Sequence, residues 1–261
     1  MRIKQCKMLN REQEKFFSYF YKHYSLSEYN NINKPAIFFS LWSFSFIKQH
    51  KGLAVVIWRG SDIVRLKFKL NAIKKMKNVY HIAVSSYISK DLDNYGIKYK
   101  FIPIVGLDMR YYKPCVLGDE IYTYVPHKNS KKYFKRYGMK IIEKIRDKCK
   151  YKINIMKLIN QYSRKKMVDI YRRSFCGLRL TEHDGLPNQV IEMGLMGRKS
   201  FYNGNIPGAI KWNKNEIDLI IDNINKESKK INSIDYKYGE KIKNFISINH
   251  QWMWTEFWEK R

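Results

Sequence analysis

Short apolar runs alternate with stretches of helical period along the chain, a rhythm that predicts βαβ units over a parallel sheet. Residues 36–41 (Ala-Ile-Phe-Phe-Ser-Leu) read as a buried strand and a short helix runs to His50. The next strand, residues 53–58 (Leu-Ala-Val-Val-Ile-Trp), is closed by Arg59-Gly60-Ser61-Asp62, which gathers polar groups at its carboxyl end. A basic helix over 64–77, a strand over 79–84, a helix over 86–94, a turn at Gly96 and a strand over 100–104 complete this half. Ahead of residue 36 the pattern supplies only a helical stretch beginning at Arg11.

Residues 105–119 follow neither period and carry Gly and Pro, which marks a linker. The rhythm then restarts: a strand over 120–125, one long helix over 130–149, a strand over 152–158, a helix over 163–173, a short strand over 200–202, a helix over 214–230, and a terminal helix over 236–258. The rhythm alone predicts an α/β chain of two halves, each with its own parallel sheet, divided at this linker. The terminal helix carries Trp252, Trp254 and Trp258, which would either pack against the rest of the protein or anchor at an interface.

Charge changes the picture more than composition does. With 44% hydrophobic and 15% aromatic residues the chain is of globular type, but 51 Lys and Arg against 23 Asp and Glu leave +28, enough to attract polyanions over long range. A basic nucleic-acid-binding protein is therefore one reading. Against it, no binding module is recognisable and the basic residues spread over most helices. The four cysteines form no C-x-x-C pair, which argues against a zinc ribbon and fits a reducing, cytoplasmic setting. The N-terminal residues lack the apolar core of a signal peptide, and no run approaches the length of a membrane span.

The chemistry concentrates in Thr181-Glu182-His183-Asp184-Gly185-Leu186-Pro187-Asn188-Gln189-Val190-Ile191-Glu192. A Gly-Leu-Pro turn leads into a helix whose first amides and positive dipole end can hold a phosphate. Asp184 lies ahead of that turn and Glu192 within the helix, so two acids flank an anion site, the pattern a sugar nucleotide would need. The alternative is an ordinary loop and amphipathic helix whose acids are solvated or paired with lysines. His183 could be tuned by Asp184 or could serve only as a hydrogen-bonding loop residue.

This segment resembles the donor-site signature of family 4 type retaining glycosyltransferases of the GT-B fold, E-x7-E followed by E-A-M-A-x-G-x-P. Asp184 and Glu192 have that separation, Asp standing in place of the first Glu, and Glu192-Met193-Gly194-Leu195-Met196-Gly197-Arg198 follows the remainder. The segment 58–62, the stretch from His81 to Gly96, and Gly106-x-Asp108 with Pro114 resemble further parts of the family pattern. No glycine precedes Gly52, where the family opens with a strand and a Gly-rich loop, so the N-terminal domain is expected to be shortened.

The resemblance implies two Rossmann-like domains facing a cleft, an acceptor-side domain 1–105 and a nucleotide-sugar-binding domain 106–245, with a terminal helix 246–261 packing back on the first. It also implies a glycosyltransferase that moves a sugar from a UDP- or GDP-linked donor to a glycan or lipid-linked acceptor in polysaccharide biosynthesis, with retention and without a metal or other cofactor. Glu192 would hold the ribose hydroxyls, Asp184 the donor sugar, and Gly185, Leu186, Pro187 and Asn188 the phosphates, with His183 beside them. A lysine after the first strand of the second domain would steady the leaving diphosphate; of Lys128, Lys131 and Lys132, Lys131 is favoured. Asp62 would orient or deprotonate an acceptor hydroxyl, or would merely cap a helix. A protein of this type that binds donor without turnover is a further alternative. The basic helix over 64–77 could lie on an anionic membrane surface, or could cover the sheet with a solvated outer face.

Overall fold

The computed structural model describes residues 1–7, 18–60, 63, 67–126, 131–157, 162–246 and 250–259; the side chains of residues 42, 67 and 131–133 fall outside the description. The chain divides into two units. One comprises Met1–Leu107, Asp184–Leu186 and Ile246–Arg261; the other comprises Asp108–His183 and Pro187–Phe245.

The first unit is built on a six-stranded parallel sheet of β1 (Gln5–Lys7), β2 (Ser27–Glu28), β3 (Ala36–Phe39), β4 (Ala54–Trp58), β5 (Val79–Ala83) and β6 (Lys100–Phe101), in the order β2-β1-β3-β4-β5-β6. β3 and β4 are buried at every position, as expected of continuous apolar strands covered on both faces. Leu70 and Ile73 of the helix Lys67–Lys74 and Ile88 and Leu92 of the helix Ser86–Asn94 close one face of this core. The second of these helices starts where the Ser85 hydroxyl accepts from the Ile88 amide.

β1 has no counterpart in the sequence pattern, although it lies inside the sheet between β2 and β3. A strand of Gln-Cys-Lys shows no apolar run. Its buried Gln5 is accommodated because its side-chain amide donates to the carbonyls of Asn31 and Lys34 and accepts from the amides of Asn30 and Asn31. The helical stretch expected from Arg11 falls outside the described residues.

The second unit carries a four-stranded parallel sheet of β7 (Glu120–Tyr124), β8 (Ile153–Met156), β9 (Ser174–Leu178) and β10 (Lys199–Phe201), in the order β10-β9-β7-β8. Helices Met139–Lys148 and Ile217–Ser228 cover it through Ile142, Ile145, Ile220 and Ile224. Two expected helices are corrected. The single helix over 130–149 is two, Lys131–Arg136 and Met139–Lys148, separated at Gly138 with φ +67°, where a Cβ would press on the Leu180 carbonyl. The terminal helix over 236–258 stops at Ile246 and is followed by a 3-10 turn, His250–Met253, and a single helical turn, Glu256–Glu259. That break lets Trp252 and Trp258 bury while Trp254 stays exposed.

Candidate functional site

The carboxylate segment occupies a β-helix-β connection. β9 ends at Leu178, a loop runs to Pro187, the helix Asn188–Leu195 follows, and the chain returns as β10 beside β9. The Leu178 carbonyl accepts from Thr123 on β7 and from the Gln189 side chain, which ties the start of the helix to the carboxyl end of the sheet. Open α/β sheets bind their ligands at this end. Pro187 precedes the first helical residue and no side chain caps it, so the first amides have no intrahelical acceptor.

Glu192 sits one turn inside this helix. Tyr112 donates its hydroxyl to Oε1 at 3.0 Å and Tyr171 donates to Oε2 at 2.7 Å. Tyr171 lies in the helix Arg164–Arg172, started by the Ser163 hydroxyl, and its ring is held edge-on against Tyr122 at 5.0 Å. Tyr112 follows the 3-10 turn Met109–Tyr111, which Asp108 caps through the Arg110 amide while pairing with the Arg110 guanidinium. Burial pushes the Glu192 carboxyl above its ordinary pKa, and the two tyrosine hydrogen bonds and the positive charge of Arg164 pull the other way. Tyr171 and Tyr112 are raised as well, first by burial and then by the neighbouring carboxylate, so both stay protonated donors.

Each carboxylate oxygen thus takes one tyrosine hydroxyl. A carboxylate offers about four acceptor positions in all, which leaves about one on each oxygen for an incoming pair of hydroxyls. The residues that shape Glu192, namely Tyr112, Tyr171 and Arg164, carry no local sequence signal; Tyr112 is 80 positions away in the chain.

The other expected residues stand as follows. Asp184, Gly185 and Leu186 group with the first unit, and His183, Pro187 and Asn188 with the second. Asp184 Oδ1 accepts from the Gly185 amide at 2.8 Å, closing its own turn. Gly185 is required there, because a Cβ would collide with the Arg59 carbonyl at the end of β4. Lys131 opens its helix and its side chain is outside the description, as is that of Lys132; Lys128 and Asp62 lie outside the described residues. No cluster of three His, Cys, Asp or Glu suited to a metal ion, and no helix long and apolar enough to cross a membrane, occurs among the described residues.

No family model and no curated protein matches the sequence. Solved structures do. Sucrose-phosphate synthase from Thermosynechococcus elongatus superposes with a TM-score of 0.61 at 9% identity, over 95% of this chain and 78% of its own. S. aureus TarM gives 0.56 at 13% identity over 93% of this chain, which spans only 56% of TarM. The pneumococcal O-GlcNAc transferase GtfA, solved with UDP and GlcNAc, gives 0.51 at 11% identity over 97% of this chain and 60% of its own. At these identities the likeness concerns architecture, and the architecture is the α/β GT-B fold in a short chain.

Proposed function

We propose that the protein is a glycosyltransferase that moves a sugar from a nucleoside-diphosphate sugar to a glycan or lipid-linked acceptor, with retention and without a metal ion. The observation that carries this reading is Glu192, a part-buried carboxylate whose oxygens are each fixed by a tyrosine and each keep room for a further donor. A ribose presents two adjacent hydroxyls that match it. The GT-B fold shared with a transferase solved with UDP favours a nucleoside diphosphate as the ligand, with UDP ahead of GDP.

In the reaction the bond from the sugar's anomeric carbon to the diphosphate breaks and the acceptor oxygen bonds to that carbon. The diphosphate gains negative charge as it leaves. The amides at the start of the helix Asn188–Leu195 and a lysine, with Lys131 favoured, would stabilise that charge in place of a divalent ion. Asp184 would hold the donor sugar with His183 nearby, and Asp62 would orient the acceptor hydroxyl and take its proton as the new bond forms.

A thermal-shift screen against UDP, GDP, ADP and CMP and their sugar conjugates, with an oligonucleotide control, tests the reading. A raised midpoint with one nucleoside diphosphate supports it, since a ligand bound only by the folded state stabilises that state. Release of free sugar from the matching donor then separates an active transferase from a protein that only binds. A response to the oligonucleotide alone, lost at high salt, would contradict the proposal.

A further inference from the structure

We infer that the helix Lys67–Lys74 of the first unit docks on an anionic lipid bilayer. Covering the sheet accounts for Leu70 and Ile73, which are buried in the core. It does not account for Phe68, which lies on the same helix and is 73% exposed, the most exposed large hydrophobic residue among those described. Lys69 places its ammonium 5.4 Å from the Phe68 ring and 5.4 Å from the ring of Phe44, so the two aromatics flank one cation at the surface. Lys48, one turn beyond Phe44, and Lys75, at the end of the basic helix, are exposed.

The sequence that carries this feature is strongly basic, and the nearest acids beyond it towards the C-terminus are Asp91 and Asp93 on the helix Ser86–Asn94. Between Tyr29 and Lys90 the sequence carries 11 Lys and Arg and a single acid, Asp62. An apolar ring projecting from a cationic helix suits the boundary between headgroups and acyl chains, where lysines meet lipid phosphates and the ring enters the apolar layer. Nucleic acid fits less well. It would meet the lysines through its phosphates, but it has no apolar layer to receive a ring that stands 73% exposed.

Co-sedimentation of the full chain, without nucleotide, with phosphatidylcholine vesicles containing or lacking phosphatidylglycerol tests the inference independently of the proposed chemistry. Binding is expected only with phosphatidylglycerol and should weaken as salt rises. Phe68→Ser keeps every charge and should weaken vesicle binding about tenfold or more, with an unchanged melting midpoint and unchanged nucleotide response. The double variant Lys69→Glu, Lys75→Glu should abolish binding. Absence of vesicle binding, binding indifferent to Phe68→Ser, or tight oligonucleotide binding in its place would each overturn the inference.

Discussion

Arg198 is fully buried with no carboxylate partner among the described residues, and the second unit should depend on it heavily. Its Nε donates to the carbonyls of Tyr171 and Ser174 at 2.7 and 2.9 Å, Nη1 to those of Met196 and Cys115 at 2.5 and 3.4 Å, and Nη2 to those of Val116 and Arg172 at 2.6 and 3.2 Å. Tyr171 and Arg172 end one helix and Met196 caps another, so the cation faces the negative ends of two helix dipoles. Arg198→Met keeps much of the stem but takes the guanidinium donors from these carbonyls, leaving Tyr171, Ser174 and Met196 with only the backbone amides of Arg173, Gly118 and Cys115. Each buried acceptor left without a partner costs about 1–3 kcal/mol. Four of the six contacts are short, and hydrogen bonds to a charged group contribute about 1.5–3 kcal/mol each, which gives about 6 kcal/mol or more; the backbone donors that remain on three of these carbonyls and relief from desolvating the guanidinium offset part of this. A net loss of about 3–5 kcal/mol corresponds to a midpoint lowered by about 6–20 °C at this chain size. Arg198→Lys keeps the charge but has three donors in place of the planar fork, so it should recover only part of the loss. Calorimetric melting of the three proteins is the assay. A fall of less than about 3 °C for Arg198→Met, or full rescue by lysine, would refute the assignment of stability to the fork.

Three further predictions concern other parts of the molecule. His81 is buried on β5, accepts from the Trp58 indole at 3.2 Å, and burial lowers its pKa to about 4. The unfolded chain binds this proton near pH 6.5 and the folded chain does not, so stability is complete above pH 6.5 and falls by about 3 kcal/mol as pH drops to about 4. Denaturant titrations across that window check it, and His81→Gln should flatten that limb. Gly138→Val should cost about 2 kcal/mol or more, from the positive φ and the contact with the Leu180 carbonyl, measured by chemical denaturation. Tyr171→Phe should weaken nucleoside-diphosphate binding several-fold while preserving the fold, because it frees Glu192 Oε2 from the hydroxyl that orients it; calorimetric titration measures the effect.

How much could be read from the sequence depended on whether a feature was local. β3 and β4 were legible because parallel strands buried on both faces are written as unbroken apolar runs. β1 was not, since its buried Gln5 satisfies its side-chain amide through a loop some 25 positions away, a long-range fact with no local pattern. Glu192 stood out by its spacing from Asp184, whereas Tyr112 and Tyr171 became visible only once the chain had folded around the carboxylate. Gly138 lay inside the single helix expected over 130–149, because its left-handed backbone and its close approach to Leu180 depend on the folded chain and leave no local pattern. Arg198 read as the tail of the donor signature and proved to be a buried clamp on six carbonyls.

The central claim is that Glu192 reads the ribose of a nucleoside diphosphate. It is tested most directly by calorimetric titration of UDP and 2′-deoxy-UDP into the wild-type protein and into Glu192→Gln. The wild type should bind UDP about tenfold or more tightly than the deoxy form, because the missing hydroxyl leaves a buried carboxylate oxygen without its donor. In Glu192→Gln that preference should disappear along with most of the affinity, while the melting midpoint of the free protein stays close to wild type. Equal binding of the two nucleotides by the wild type, or unchanged affinity in the variant, would contradict the account.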